Sequence, residues 1–170
     1  MNNISIIPIK NLPEFEPKHG LADEIIKSFS SNNFVLEDKD VIVITQKIVS
    51  KVEDRLIKND NESIEKLIQQ ESLEILRKRG DTVISRTKHG FICANAGIDK
   101  SNIEKGSVLL LPEDPDKTSR DIRKKIEHVT NKKISIIISD TFGRAWRKGQ
   151  TNVAIGSSGI QPLESYIGEK

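Results

Sequence analysis

One stretch near the C-terminal end of the chain combines residue types that suit phosphate chemistry. Asp140 and Thr141 follow an apolar run, and Arg144, Arg147 and Lys148 lie within five residues of one another. A carboxylate and a hydroxyl supply the oxygen ligands that Mg²⁺ or Mn²⁺ prefers, whereas arginine binds phosphate or carboxylate oxygens in pairs. A metal and cations together stabilise a transferring phosphoryl group, so the stretch indicates phosphoryl transfer.

A second carboxylate occurs in a similar setting. The segment CANAGID (93–99) ends in Asp99 and follows a predicted strand, with Asn95 and Asn102 nearby. Ligand sites in open sheets lie beyond the carboxyl ends of strands, so Asp99 could complete a metal site with Asp140. From the residues alone, an ordinary Asn/Gly loop is an equally good interpretation.

Other interpretations of these residues remain open. Taken by itself, the Asp-Thr pair is more often the start of a turn, here before Gly143, and a basic run is more often a solvated surface. Trp146 lies among the cations and could stack on an RNA base, but a net charge of +2 disfavours nucleic acid as a partner. Lys47 and Lys51 could face one ligand, although solvent exposure is the commoner state of either lysine.

Several functional classes lack their motifs. The chain contains neither GxxxxGK[ST] nor GxGxxG, so the common phosphate-binding loops are absent. The single Cys93 excludes an intramolecular disulfide, and the three histidines are too scattered to suggest a ligand set. No signal pattern and no long apolar run is present, so we expect a cytoplasmic protein with no membrane partner.

The elements that must position these residues follow from periodicity. The chain has 170 residues, enough for one domain or two small lobes. Strands alternate with helices but two strands run consecutively, which predicts an α+β (mixed α/β) fold. The predicted strands are 4–9, 40–45, two within 81–95 joined at 88–90, 107–111 and 135–139. The predicted helices are 21–31, a helical turn after 46, 61–79, and one with an Ile122, Ile126 and Val129 stripe and a Thr118–Asp121 capping box; residues 156–159 are predicted as a turn.

Four blocks, in this order, resemble one family across nearly the whole chain. They are IIPIKNLP, DVIVITQKIVSKVEDR, HGFICANAGIDKSNIEKGSVLLLPEDPD and ISDTFGRAWRKGQTNVAIGSSGI. The family that they resemble is coenzyme F420-0:L-glutamate ligase. The last two blocks are long and specific.

The resemblance implies an activity and a fold. Family members use GTP to phosphorylate the terminal carboxylate of F420-0, and the amine of L-glutamate then attacks the acyl phosphate to give an amide, GDP and phosphate. Two divalent cations, Mn²⁺ or Mg²⁺, and a monovalent cation such as K⁺ are implied. So is a two-lobed α+β fold that forms an intertwined homodimer.

The resemblance also implies roles for individual residues. Asp99 and Asp140 match ligands of the first metal, and Thr141 matches a ligand of the second. The implied nucleotide contacts are Leu12, Pro13, Glu14, Phe15, Gln46, Lys47, Lys51 and Asn102. From their charge, we infer that Arg144 and Arg147 neutralise phosphate or substrate carboxylate.

Two departures from the family pattern stand out. Family members carry an acidic turn where this chain has Lys18, His19 and Gly20. The family also continues into a segment that closes the nucleotide site and supplies another ligand of the second metal. We therefore expect residues 1–170 to form one ligase domain without that segment. The alternative is a catalytically incomplete nucleotide- or F420-binding module that needs the segment or a partner chain.

Overall fold

A computed structural model describes residues 4–58, 63–101, 106–143 and 148–168. The helices are α1 (Leu21–Ser31), α2 (Gln46–Val52), α3 (Ile64–Glu71) and α4 (Pro115–Thr130), with a 3-10 turn at Asn95–Gly97. The strands are β1 (Val41–Thr45), β2 (Leu56–Lys58), β3 (Ser72–Arg79), β4 (Thr82–Thr87), β5 (Ile92–Ala94), β6 (Ser107–Leu109), β7 (Ser135–Gly143) and β8 (Gln150–Ser158). This content confirms the predicted α+β class.

The strands form three small sheets. In the largest, the order is β1-β7-β8, with β1 parallel and β8 antiparallel to β7. A two-stranded sheet pairs β2 with β6, and a three-stranded antiparallel sheet has the order β3-β4-β5. The mixture of parallel and antiparallel pairs distinguishes the fold from a doubly wound sheet.

The main core packs α1 and α4 against the β1-β7-β8 sheet. Ile136 and Ile138 of β7 are fully buried, as is Ile126 of α4. The start of α4 is well defined because the Asp114 carboxylate accepts a hydrogen bond from the Lys117 backbone N–H at 2.8 Å. Such N-caps stabilise a helix by about 1 kcal/mol. The sheet that carries Asp140 is therefore firmly held from one side.

Close contact between β8 and α4 corrects the prediction of a turn at 156–159. Residues 156–158 continue β8, and a Cβ added to Gly156 would lie 2.5 Å from the Pro115 backbone. The Ser157 N–H donates to the Asp116 carboxylate at 2.8 Å. Glycine is therefore used here for close packing rather than for a reversal of the chain.

An ion pair with little exposure connects the segment after α2 with α3. Arg55 lies 2.7 Å from the Glu71 carboxylate and donates through Nε to the Leu111 carbonyl at 3.0 Å. Lys88, in the β4–β5 turn, lies 3.5 Å from Glu71. These contacts tie the β3-β4-β5 sheet to the chain that leaves α2.

Two further predictions about elements were wrong. Residues 4–10 form no strand, and Ile4 and Ile6 are more than nine-tenths exposed. The predicted helix 61–79 ends at Glu71, because Ser72–Arg79 pairs instead with β4; the apolar residues Ile75 and Leu76 fit helical spacing but are exposed on a strand. Pairing across the sheet thus overrides the local pattern.

The predicted capping box was also wrong. Thr118 lies inside α4, where its hydroxyl donates to Glu53 at 2.6 Å, and Asp114 is the N-cap. The helix α1 and the β4–β5 hairpin agree with prediction. Val129, predicted to share the apolar stripe of α4, is exposed.

Candidate active site

The parallel strands β1 and β7 end side by side, and this edge carries the candidate site. Thr45 pairs with Ser139, so the next residues, Gln46 and Asp140, leave the parallel pair together. Beyond that point β7 continues only against β8, through to Gly143. Asp140 is therefore within a strand, not after it as predicted, but it still lies at the carboxyl edge of the parallel pair, where open sheets bind ligands.

Asp140 is half-buried and faces β5. Phe142, two residues on, packs on Phe91 with ring centroids 5.8 Å apart, and side chains two apart in a strand share a face. Burial raises the pKa of Asp140 above its ordinary value, and the Asp99 charge adds to this. The Thr141 backbone N–H and the Lys47 charge lower the pKa of Asp140, but by less. The positive groups around the Asp140 carboxylate thus do not offset the effect of its burial.

Asp99 reaches the same place from the loop after the 3-10 turn. Its backbone makes two 2.9 Å hydrogen bonds with Leu109. Its carboxylate accepts from the Ser101 N–H and hydroxyl, both at 2.7 Å, and from Lys47 at 2.8 Å. Partial burial raises the pKa of Asp99, but the bonds from Lys47 and Ser101 outweigh it, so the pKa lies below its ordinary value.

The two carboxylates suit one divalent cation. They are close enough for Asp99 to disfavour ionisation of Asp140, and a cation between them would remove that repulsion. Oxygen ligands of this type are those that Mg²⁺ and Mn²⁺ prefer. Within the part of the chain that the structure describes, no group of three or more His, Cys, Asp or Glu side chains converges. Among the described residues, Asp99 and Asp140 thus form a pair of carboxylates and not a larger set of acidic ligands.

Thr141 does not join this pair. Its hydroxyl donates to Asn152 Oδ1 at 2.7 Å, across the β7–β8 ladder, and successive residues of a strand point to opposite faces. The Thr141 hydroxyl is thus on the face opposite Asp140 and Phe142. Its assignment to a second metal stays a prediction.

Two of the segments that were predicted to contact the nucleotide lie next to each other. Lys47 and Lys51 lie one turn apart on α2, and Lys51 forms an ion pair with Glu14, so α2 and the loop 12–15 do meet. In that loop Pro13 is exposed, Leu12 is half-buried against the main core, and Phe15 is buried in it.

Gln46 differs from these residues. It is 1% exposed, so its side chain faces the protein interior rather than solvent. The predicted contacts Asn102, Arg144 and Arg147 lie outside the described residues, as does Trp146. The roles of all these residues stay predictions.

A cavity of about 580 Å³ lies beside α2. Val49, Val52 and Glu53 line it, together with residues of α1 and α4. The Glu53 carboxylate accepts from the Glu113 N–H at 2.9 Å and from the Thr118 hydroxyl at 2.6 Å. Neither Asp99 nor Asp140 lines the cavity, so it is separate from the carboxylate pair.

Comparison with known proteins places the chain in one family. Residues 10–170 match the model of the F420-0:Gamma-glutamyl ligase family. The chain belongs to this family. A coenzyme F420:L-glutamate ligase of Methanococcus maripaludis strain S2 is 44% identical, over 82% of this chain and 62% of the relative. One of Methanocaldococcus jannaschii is 42% identical, over 81% of this chain and 61% of the relative.

The chain thus spans about three-fifths of the length of these curated relatives. In the described part of this family member, no helix is long and apolar enough to cross a membrane.

Sequence reasoning missed three residues that contact the site or its neighbours. Ser101 donates twice to Asp99, buried Cys93 is close enough to Asp140 for that charge to raise its pKa, and Ser50 donates to Gln46 at 2.8 Å. The Asp-x-Ser spacing of 99–101 is typical of a local side-chain turn and could have indicated Ser101. No local pattern indicates the other two, because strand and helix packing bring them there.

Proposed function

We propose that this chain is a GTP-dependent ligase that adds L-glutamate to coenzyme F420-0. The observation that carries the proposal is the meeting of Asp99, Asp140 and Lys47 at the carboxyl edge of β1 and β7. The relatives' name, coenzyme F420:L-glutamate ligase, supports this choice of substrates. The family blocks quoted above extend through both carboxylates.

The reaction has two steps. The γ-phosphoryl group of GTP passes to the terminal carboxylate of F420-0, which gives an acyl phosphate and GDP. The amine of L-glutamate then attacks the acyl carbon, phosphate leaves, and an amide forms. Repetition on the new terminus would give a γ-linked glutamate tail.

The residues of the chain have distinct roles in this proposal. Asp99 and Asp140 hold a divalent cation, Mn²⁺ or Mg²⁺, and Thr141 contributes to a second, with K⁺ as a monovalent activator. When bound, such cations neutralise phosphate oxygens and favour phosphoryl transfer. Lys47 and Lys51 bind the nucleotide phosphates.

Other residues supply positive charge or further contacts with the nucleotide. Arg144 and Arg147 neutralise charge on phosphate or substrate carboxylate. Asn102, Gln46 and the loop 12–15 contact the nucleotide. The active form is a homodimer located in the cytoplasm.

A second candidate follows from one observation, namely that the chain spans about three-fifths of its relatives. In this alternative the chain binds nucleotide and F420-0 but turns over only with a further segment or a partner chain. The described residues supply two carboxylates, whereas a divalent cation takes six or more oxygen ligands. Water, substrate phosphates or further protein groups would complete the set.

Calorimetric titration with Mn²⁺, with and without GTP, tests the proposal on this chain. We expect Mn²⁺ to bind, GTP to tighten it, and Asp99→Asn to lose both effects. Asp140→Asn is expected to abolish glutamate addition without unfolding the protein. Normal turnover of folded Asp140→Asn would contradict the metal role.

Turnover separates the two candidates. Glutamate addition to F420-0 by this chain supports the ligase. Binding of GTP and F420-0 with no turnover, restored when the remaining family segment is added, supports the incomplete module. Gel filtration tests the homodimer in the same preparations.

A further inference from the structure

Two polar side chains meet on the buried side of α2. Ser50 is 0% exposed and Gln46 is 1% exposed. The Ser50 hydroxyl donates to Gln46 Oε1 at 2.8 Å. Gln46 Nε2 is then a buried donor with no hydrogen-bond partner among the described residues. Buried donors are normally paired, so this amide group requires an explanation.

The strand register places that amide beside Asp140. Thr45 and Ser139 are partners in the β1–β7 ladder. Gln46, the first residue of α2, follows Thr45 directly, and Asp140 follows Ser139 in β7. The amide favours the charged form of the Asp140 carboxylate, although it makes no well-formed hydrogen bond to it. The strand register therefore places the Gln46 amide close to the carboxylate, and Nε2 is the end of the amide that Ser50 leaves free.

The orientation of the amide depends on both neighbours. An amide can present either its oxygen or its NH₂ group to Asp140, and only the NH₂ group attracts a carboxylate. The Ser50 hydroxyl, by donating to Oε1, satisfies the oxygen on the opposite side. Without that hydroxyl, Oε1 would be a buried acceptor with no donor, and the side chain would gain by rotating.

We propose that Ser50 is a positioning residue, which acts through Gln46 to hold the Asp140 carboxylate in the orientation that binds a divalent cation. The inference rests on the proposed metal site. Groups that orient metal ligands in this way commonly change metal affinity by tenfold or more when removed. Ser50 itself touches neither metal nor substrate.

Mn²⁺ titration of Ser50→Ala in the absence of GTP tests the proposal. We expect the Mn²⁺ dissociation constant to rise roughly tenfold, with an unchanged circular dichroism spectrum. Ser119→Ala is the matched control, because Ser119 is also a fully buried helical serine but donates to its own helix at Asp116 O. Its Mn²⁺ affinity should equal that of the wild type.

A double-mutant cycle distinguishes an effect of Ser50 that passes through Gln46 from a merely structural role of Ser50. Gln46→Met removes the amide while keeping a side chain of similar length. In that background, Ser50→Ala should cause no further loss of Mn²⁺ affinity, because its effect passes through Gln46. An equal loss in both backgrounds, or wild-type affinity of Ser50→Ala, would overturn the proposal.

The wild-type titration distinguishes this failure from that of the proposed function. If the folded wild-type chain binds no Mn²⁺, the metal site is wrong and the role of Ser50 falls with it. If the wild type and Ser50→Ala bind equally well, the metal site stands and the role of Ser50 alone is wrong.

Discussion

The ammonium group of Lys47 lies where a cation would bind Asp99. Nζ is 2.8 Å from Asp99 Oδ2 and 2.7 Å from the Ser101 hydroxyl. Resemblance assigns Lys47 to the nucleotide and Asp99 to a metal, and the structure shows that the two are direct neighbours. The Lys47 ammonium group thus occupies a position beside Asp99 that a bound metal ion would also need.

Lys47→Met should separate metal binding from nucleotide binding. Removal of the Lys47 charge is expected to tighten Mn²⁺ binding in the absence of nucleotide by roughly tenfold, because the cation then no longer competes with Lys47 for Asp99. GTP binding should weaken by roughly tenfold, since a phosphate-binding cation is lost. Calorimetry measures both constants, and a variant in which both stay at wild-type values would contradict this arrangement.

Asp140→Asn should change the pH dependence of stability in a defined direction. The pKa of Asp140 is raised in the folded protein, chiefly by burial, so the folded state keeps its proton to higher pH than the unfolded state. Stability therefore falls as pH rises from the ordinary value of 3.8 through the folded value. Asparagine carries no such penalty.

The measurement is urea unfolding with a chelator present. Asp140→Asn should be more stable than the wild type at about pH 7, and the difference should disappear at about pH 3. A variant that is less stable than the wild type at neutral pH would show that the carboxylate is not short of positive charge.

Gly156→Ala should destabilise the fold without any change in the site. The added Cβ would lie 2.5 Å from the Pro115 backbone, and neither β8 nor the start of α4 can move freely. Overpacking of this kind costs about 1–3 kcal/mol in the free energy of unfolding. Gly143→Ala is the control, because none of the residues that the structure describes lies within 4 Å of its added Cβ; equal urea midpoints for the two variants would refute the close-packing role.

Cys93 should be nearly inert in the folded protein. Burial, helped by the Asp140 charge, raises the pKa of the thiol to about 11 from 9.0, and the thiolate is the reactive form. Alkylation by iodoacetamide at neutral pH should be slower than in the unfolded chain by roughly a hundredfold or more. Mass spectrometry measures the rate in buffer and in urea; similar rates would show that the thiol is not buried in the folded protein.

The apolar runs of the sequence were sufficient to predict much of the framework. Helix α1, the strand at β1, the β4–β5 hairpin and the α+β class depend on patterns within a few residues. The closeness of Asp99 and Asp140 was also predicted, because carboxylates after predicted strands meet at one edge of a sheet; their role as metal ligands stays a prediction. These features are local, and local residue types determine them.

Only the tertiary structure decided the rest. Residues 72–79 have helical spacing but form β3, because pairing with β4 offers a ladder of hydrogen bonds that the local pattern does not reveal. The β1–β7 register places Gln46 beside Asp140, and packing of β5 on β7 brings Phe91 to Phe142. Such contacts join residues distant in the chain, so their geometry depends on how whole elements pack and not on any short stretch of sequence.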